Sequence, residues 1–325
     1  MARRALGPAS LQVVQAVAAA LEPDDQALLT ACSGGPDSLA LAFAVQYAAV
    51  RLGLPHAAVV VDHQLQPGSA GVAARAAAAS SGLGVIDVRQ VAVVVDPDAG
   101  SGPEAAARQA RYAALDAAAV VGVAGRAATV FLGHTRDDQA ETVLLGLARG
   151  SGSRSLAGMA PRTGHYRRPL LGLTRAVTVR ACVELGLEPW SDPHNDDPAY
   201  ARVRVRHRVL PVLEAELGPG VAAALARTAA LARDDADLLD SLAEAADPGT
   251  DALDCVHLDA LPTALRRRVL RRWLTRAGSD DLQLDHVVAV ESLVRQWHGQ
   301  RAVAVPRGTV TRRDGRLLWQ AVGRG

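Results

Sequence analysis

The sequence predicts an α/β fold: a doubly wound parallel sheet, then a helical linker, then a small α+β C-terminal domain. Three observations predict it. Short apolar runs alternate with helix-length segments over the first half of the 325-residue chain. Several of those runs end directly in a compact polar cluster, where a parallel sheet places its ligands. Beyond them, a long helical stretch breaks at a Pro-Gly pair and gives way to two more helices and three strand-like runs.

Taken in order, residues 27–32 form the first run, closed by Ser33-Gly34-Gly35, and residues 39–50 read as an apolar helix that stops at Gly53. The second run, 57–61, ends in Asp62-His63. The third, 85–95, is rich in β-branched residues, and the fourth, 128–132, ends in Gly133-His134. Helical patterns lie between them, over 68–80, 103–120 and 138–148. Segment 150–166, rich in Gly, Ser and Arg, reads as a loop over the site, and Thr174 as the N-cap of a helix running to Leu185. Residues 192–198 are turn chemistry, and 209–246 read as one helical connector. After Asp247-Pro248-Gly249, helices are expected over 261–277 and 284–297, and strands over 302–305, 309–312 and 317–320, with Asp314-Gly315 as a turn. The resulting domains are an N-terminal domain over 1–215, a helical linker over 216–248 and a small domain over 249–325.

Composition limits the function classes. Apolar residues make up 49% and charged residues 21%, as in a globular protein. Aromatics are only 3%, so a nucleic-acid surface has few rings for base stacking and arginine planes must share that task. Every one of the 35 basic residues is arginine, which excludes a catalytic or phosphate-loop lysine. Net charge is +1, so any polyanion site must come from clusters such as 202–208, 266–276 and 307–316. In the middle cluster Leu270, Trp273 and Leu274 can equally be core. Cys32, Cys182 and Cys255 form no CxxC pair, which argues against a disulfide framework or zinc ribbon and for a reducing cytoplasm. Residues 11–21 are interrupted by Gln12 and Gln15 and lack a signal peptide's apolar core, and no run of about 18 apolar residues predicts a membrane span.

Two clusters carry chemistry. In Ser33-Gly34-Gly35-Pro36-Asp37-Ser38, between strand and helix, glycines let backbone N–H groups approach phosphate oxygens at the positive end of the helix dipole. Lacking GKS or GKT, it is no Walker A loop. In Gly133-His134-Thr135-Arg136-Asp137-Asp138-Gln139-Ala140-Glu141-Thr142, Asp138 and Glu141 are three apart and share a helix face. That pair can bind an ammonium group, hold magnesium or accept a proton; taken alone, acids at a helix N-terminus also simply satisfy the dipole.

The first cluster resembles the PP-loop of enzymes that split ATP between its α and β phosphates, in which Asp37 would approach magnesium while Ser33 and Ser38 supply hydroxyls. The second closely resembles the GHHxDDQAET stretch of tRNA(Ile)-lysidine synthetases. Further pieces match that family in order: Val61-Asp62-His63-Gln64-Leu65; Ala107-Arg108 and Arg111-Tyr112; Arg168 to Leu171; Asp192 to Asn195 with Tyr200, Arg202 and Arg206-His207. Gln66 stands where the family commonly has arginine, and His194 where it has a serine-like residue. The match covers about the first 215 residues, and the remainder matches by size and arrangement.

The resemblance implies a Rossmann-like PP-loop fold and an enzyme that uses ATP and Mg2+. It would adenylate the C2 oxygen of the first anticodon cytidine in a CAU-anticodon tRNA(Ile) and let free L-lysine displace AMP. It implies nucleotide contacts at Ser33, Gly34, Gly35, Pro36, Asp37, Ser38, Asp62 and His63, and a metal at Asp37 and Asp138. Asp138 or Glu141 would receive the ammonium and its proton, with His134 and Arg111 positioning the adenylate. Arg149, Arg168, Arg202, Arg206 and Arg208 would bind tRNA. Other PP-loop enzymes transfer sulfur to tRNA or form amides, and an inactive tRNA-binding relative could keep the fold. No membrane partner is expected, and a homodimer is among the open oligomeric states.

Overall fold

The computed structural model describes residues 6–64, 68–95, 103–150, 152–190 and 196–322. The stretches holding Leu65, Gln66 and Asp192 to Asn195 lie outside the described residues. The chain divides into two compact units, Met1–Ala230 and Leu231–Gly325.

The first unit runs α1 (Pro8–Ala20), β1 (Leu28–Ala31), α2 (Pro36–Leu52), β2 (His56–Asp62), α3 (Ser69–Gly82), β3 (Asp87–Ala92), α4 (Pro103–Val121), β4 (Thr129–Phe131) and α5 (Arg136–Ala148). It continues with α6 (Ser153–Leu156), β5 (Arg162–Thr163), β6 (Tyr166–Arg167), a 3-10 turn (Pro169–Gly172), α7 (Arg175–Leu185), α8 (Ala201–Arg204), a π-helical turn (Val205–Val209) and α9 (Leu210–Leu217). Next comes α10 (Val221–Ala246), within which the boundary between the units falls.

Six strands form one sheet in the order β3-β2-β1-β4-β6-β5, parallel except for β5, which pairs antiparallel to β6. Strands buried on both faces explain the continuous apolar runs. Leu29, Ala31, Val59, Val130 and Leu132 face a core closed by Leu115, Ala118 and Ala119 of α4, while Leu28, Val60 and Phe131 face one closed by α1, α2 and α7. The chain builds outward from β1 to β3 and then returns to place β4 on the other side of β1. The strand order therefore reverses between β1 and β4, and the open-sheet rule puts a ligand crevice at their carboxyl ends.

Four differences from the sequence reading have simple causes. Segment 150–166, expected as a loop, supplies α6, β5 and the first residue of β6; strands of two residues are too short to show a period of two. The stretch 11–21, to which no element was assigned, lies in α1 up to Ala20, with Leu21 as its C-cap, and Val13, Val14 and Val17 of that helix are buried. The connector 209–246 is two helices, because Gly218 and Gly220 adopt positive φ on either side of Pro219. Thr174 does hold the N-cap position of α7, but its side chain makes no capping bond; Asp137 caps instead, accepting from the Arg175 backbone N–H at 2.8 Å.

The second unit contains β7 (Ala252–Asp254), α11 (Cys255–Ala260), α12 (Thr263–Ala277), α13 (Leu284–Arg295), β8 (Val303–Val305), β9 (Gly308–Arg313) and β10 (Arg316–Ala321). Its antiparallel sheet has the order β7-β10-β9-β8, and Asp314-Gly315 turns the β9–β10 hairpin with both φ positive. Leu270, Trp273 and Leu274 are core, packed with Val290, Leu293 and Leu317. The arginines around them are largely paired: Arg266 and Arg267 with Glu291, Arg268 with Asp240, Arg276 with Asp247. All three cysteines are free and buried. Among the described residues no single helix is long and apolar enough to cross a membrane.

Candidate active site

The loop after β1 is closed by its own serines. The Ser38 hydroxyl accepts from the Ser33 backbone N–H at 3.1 Å and from the Ser33 hydroxyl at 3.2 Å, and donates to the Gly35 carbonyl at 2.9 Å. Gly34 has φ +84°, and a Cβ there would meet the Cβ of Ala76 on α3 at 3.0 Å. Its carbonyl accepts the Trp190 N–H at 3.0 Å, which ties the chain after α7 to the loop. Pro36 stands at N1 of α2, where its missing N–H costs nothing, and Asp37 follows in the first turn.

Gly133, at the end of β4, packs against that same turn: a Cβ would lie 3.1 Å from the Asp37 carbonyl. The close approach brings the N-termini of α2 and α5 together over the crevice. Asp138 uses one carboxylate oxygen, Oδ2, to accept from the Thr135 N–H (2.8 Å) and hydroxyl (2.9 Å), so it does cap α5. Its other oxygen, Oδ1, accepts from Arg175 Nη2 at 2.7 Å and lies 3.5 Å from Arg206 Nη2. The acid thus caps the helix with one oxygen and turns the other to Arg175 and Arg206. Burial pushes the Asp138 carboxyl up, but Arg175 and the Thr135 N–H outweigh it and hold the carboxyl below its ordinary value.

Asp37 receives the Thr178 hydroxyl on Oδ1 and Arg175 Nε, at 3.4 Å, on Oδ2. Burial dominates there and raises its pKa. Glu141 has no exposed surface; Arg206 donates to both of its oxygens, at 2.7 and 3.1 Å, while Arg175 and Arg202 approach to 3.7 and 4.0 Å.

His134 is half-buried with its Nδ1 enclosed, and is held neutral, its pKa pushed down to about 3 by burial and by the nearby Arg111 charge. Burial and Arg111 also lower His63. The Nδ1 atoms of both histidines are buried and have no partner among the described residues. Arg108, on α4 with Arg111, lies 4.8 Å over the Tyr112 ring, which meets Tyr166 edge-on at 5.2 Å.

Ser33, Gly35, Pro36, Asp37, Ser38, Arg111, His134, Asp138, Arg149, Arg202 and Arg206 line one open cleft of about 1580 Å3. A single small ligand usually fills roughly 300–1,000 Å3, so the cleft has room for more than one substrate. Gly34, Asp62, His63, Glu141, Arg168 and Arg208 do not line it. Asp62 instead accepts the Gln64 N–H at 2.9 Å and closes the turn after β2. Arg168 is buried, donating to the Ala160 carbonyl at 2.9 Å and reaching the Tyr112 hydroxyl at 3.4 Å. Arg208 is exposed.

The sequence reading overlooked Arg175, Thr178 and Trp190 as site residues. For Arg175 a signal existed: a cation at the first position of a helix opposes the dipole and calls for a nearby carboxylate.

A sequence profile described as a PP-loop domain matches residues 9–213, and one described as the TilS substrate binding domain matches residues 253–318. The tRNA(Ile)-lysidine synthase of Thermobifida fusca is 54% identical over 92% of this chain and 93% of its own length. The chain belongs to the tRNA(Ile)-lysidine synthase family. Members from Leifsonia xyli and Streptomyces coelicolor are 53% and 52% identical, over 90% and 91% of this chain and 89% and 85% of theirs. In fold the chain is similar to the U34-tRNA thiolase NcsA of Methanococcus maripaludis, with a TM-score of 0.55 at 17% identity over 68% of this chain and 78% of that one.

A divalent cation fits the carboxylates of this family member. Asp37 Oδ2 and Asp138 Oδ1 come from different helices and already converge on one positive group, the Arg175 guanidinium. Among the described residues no three His, Cys, Asp or Glu side chains form a metal cage. One or two carboxylates completed by phosphate oxygens and water is the set magnesium takes from a bound nucleotide.

Proposed function

We propose that this chain joins free L-lysine to C2 of the wobble cytidine, position 34, of CAU-anticodon tRNA(Ile), forming lysidine, AMP and diphosphate and changing decoding from AUG to AUA. The observation that carries this reading is the meeting, in one cleft, of the Ser33–Ser38 loop, the Asp37 and Asp138 carboxylates and the Arg111–His134 pair. The cleft's size suits a nucleotide, a flipped-out base and an amine together.

In this reading the loop amides at the α2 N-terminus hold the phosphates of ATP. The cytidine C2 oxygen attacks the α-phosphorus and diphosphate leaves. Asp37 and Asp138 would hold Mg2+, which when bound neutralises charge on the departing diphosphate. Arg111 and neutral His134 position the adenylate, His134 as a hydrogen-bonding partner without charge. The lysine ε-amine, protonated in water at pH 7, must lose a proton before it attacks C2. The geometry favours Asp138 over Glu141 as its acceptor once diphosphate and its cation have left, because Asp138 lines the cleft while Glu141 does not and is held by Arg206. The C2–O bond then breaks, and AMP leaves with that oxygen.

Arg149, Arg202 and Arg208 are read as phosphate contacts to tRNA, with Arg168 and Arg206 supporting the site from behind. Residues 1–215 act as the catalytic domain, 216–248 as linker and 249–325 as a tRNA-binding domain, in the cytoplasm. The test is whether purified protein incorporates isotope-labelled lysine into this tRNA with ATP conversion to AMP. Conversion that requires ammonia or a sulfur donor in place of lysine contradicts the reading.

A further inference from the structure

We propose that Arg175 is a stand-in cation: in the free protein its guanidinium holds the point between Asp37 and Asp138 that a nucleotide-borne divalent ion takes, and it yields that point when the ion arrives. The identity of the incoming ion rests on the function proposed above; the geometry does not.

One guanidinium meets three carboxylates from two helices. Nε lies 3.4 Å from Asp37 Oδ2, Nη2 2.7 Å from Asp138 Oδ1 and Nη1 3.7 Å from Glu141 Oε1. Helix energetics do not put it there, since a cation at the first residue of α7 opposes the dipole. Counted over the side chains paired with one another, Asp37, Asp138 and Glu141 balance Arg175, Arg202 and Arg206. A bare divalent ion, arriving without a nucleotide's phosphates, would add two uncompensated positive charges to a partly buried site if nothing were displaced, which is unfavourable.

The remaining hydrogen bonds are arranged for exchange. When Arg175 swings away, Thr178 still holds Asp37 Oδ1 and Thr135 still holds Asp138 Oδ2. Each carboxylate thus stays oriented while exposing one oxygen, Oδ2 of Asp37 and Oδ1 of Asp138. Arg175 lines the same cleft, its side chain 24% exposed, so its planar fork can turn to incoming phosphate oxygens, which it can bind bidentately. Arg206 is not equivalent: its Nε and Nη2 donate to the two oxygens of Glu141, and Nη2 reaches Asp138 Oδ1 only at 3.5 Å. The device would keep the carboxylates from trapping stray cations before the nucleotide is in place.

The experiment is an Mn2+ titration of nucleotide-free full-length protein, followed by electron paramagnetic resonance. Arg175→Gln is expected to bind Mn2+ about tenfold more tightly than wild type, and the added Asp37→Asn change to cancel that gain. Unchanged or weaker Mn2+ binding by Arg175→Gln overturns the proposal. Should that variant not fold, Arg175→Lys decides: an ammonium bridges two carboxylates poorly, so binding several-fold tighter than wild type is expected and unchanged binding overturns it. Lysine incorporation by the wild type is a separate readout, so loss of the functional reading and loss of this one are told apart.

Discussion

Both oxygens of Glu141 accept from Arg206, at 2.7 and 3.1 Å, although Glu141 has no exposed surface. Breaking a buried pair costs far more than the pair gained in forming, because one charge is left without a partner. Glu141→Ala is expected to lower unfolding stability by about 3–5 kcal/mol, seen as a fall in the urea midpoint. A loss below about 1 kcal/mol contradicts a structural share in the role of Glu141.

Gly133 touches the Asp37 carbonyl through backbone, which cannot rotate out of the way. Gly133→Ala should shift the α2 N-terminus by a few tenths of an ångström and lower kcat/KM for ATP several-fold, since about 1 Å of misplacement at a reacting site costs about 100-fold. Steady-state kinetics alongside a melting curve check this; unchanged kcat/KM contradicts it.

Acid sensitivity should come in part from a buried histidine far from the chemistry, beside the contributions of His134 and His63, whose pKa values are lowered as well. His56 is locked between the Thr30 hydroxyl (2.9 Å) and Gln46 Oε1 (2.8 Å), and burial lowers its pKa to about 4. Above pH 6.5 the ring is neutral folded or unfolded and adds no pH dependence. Between 6.5 and 4 the unfolded chain takes the proton and the folded chain does not, so stability falls as pH falls, by up to roughly 3 kcal/mol. Urea midpoints at pH 7.5, 5.5 and 4.5 should drop accordingly, and His56→Gln should flatten the decline; identical slopes contradict the assignment.

Two arginines read alike in the sequence should behave differently. Arg208 is exposed, so Arg208→Ala should weaken tRNA binding and reduce the salt slope by about one. Arg168 is buried on the Ala160 carbonyl, so Arg168→Ala should lower the melting temperature. Filter binding at several salt concentrations and thermal melts separate the two; a tRNA-only effect at Arg168 contradicts its placement.

The sheet was readable from the chain because its strands are buried on both faces and each polar cluster ends a strand at the switch point, Ser33 to Ser38 after β1 and Gly133-His134 after β4. The two-residue strands β5 and β6 were not, since no period can show in two residues. In the site, Asp138 and Glu141 were visible because helix spacing brings both acids to one face, and Asp37 because it sits in the glycine-serine loop that resembles the PP-loop. Arg175 was not, and Arg206 was seen only as a tRNA contact and not as the partner of Glu141, because the partners lie more than 30 residues away and only tertiary packing joins them. The cluster 266–276 shows the opposite limit: its arginines suggested a polyanion surface, but Arg266 and Arg267 are bound by Glu291 of a helix that follows.

The most direct test of the central claim follows one oxygen atom. With 18O placed at C2 of cytidine 34, adenylation of that oxygen and its displacement by lysine send the label into AMP. Mass spectrometry of AMP from a single turnover should show one 18O per lysidine formed. Unlabelled AMP, with lysine nonetheless attached to the base, would contradict activation of the C2 oxygen.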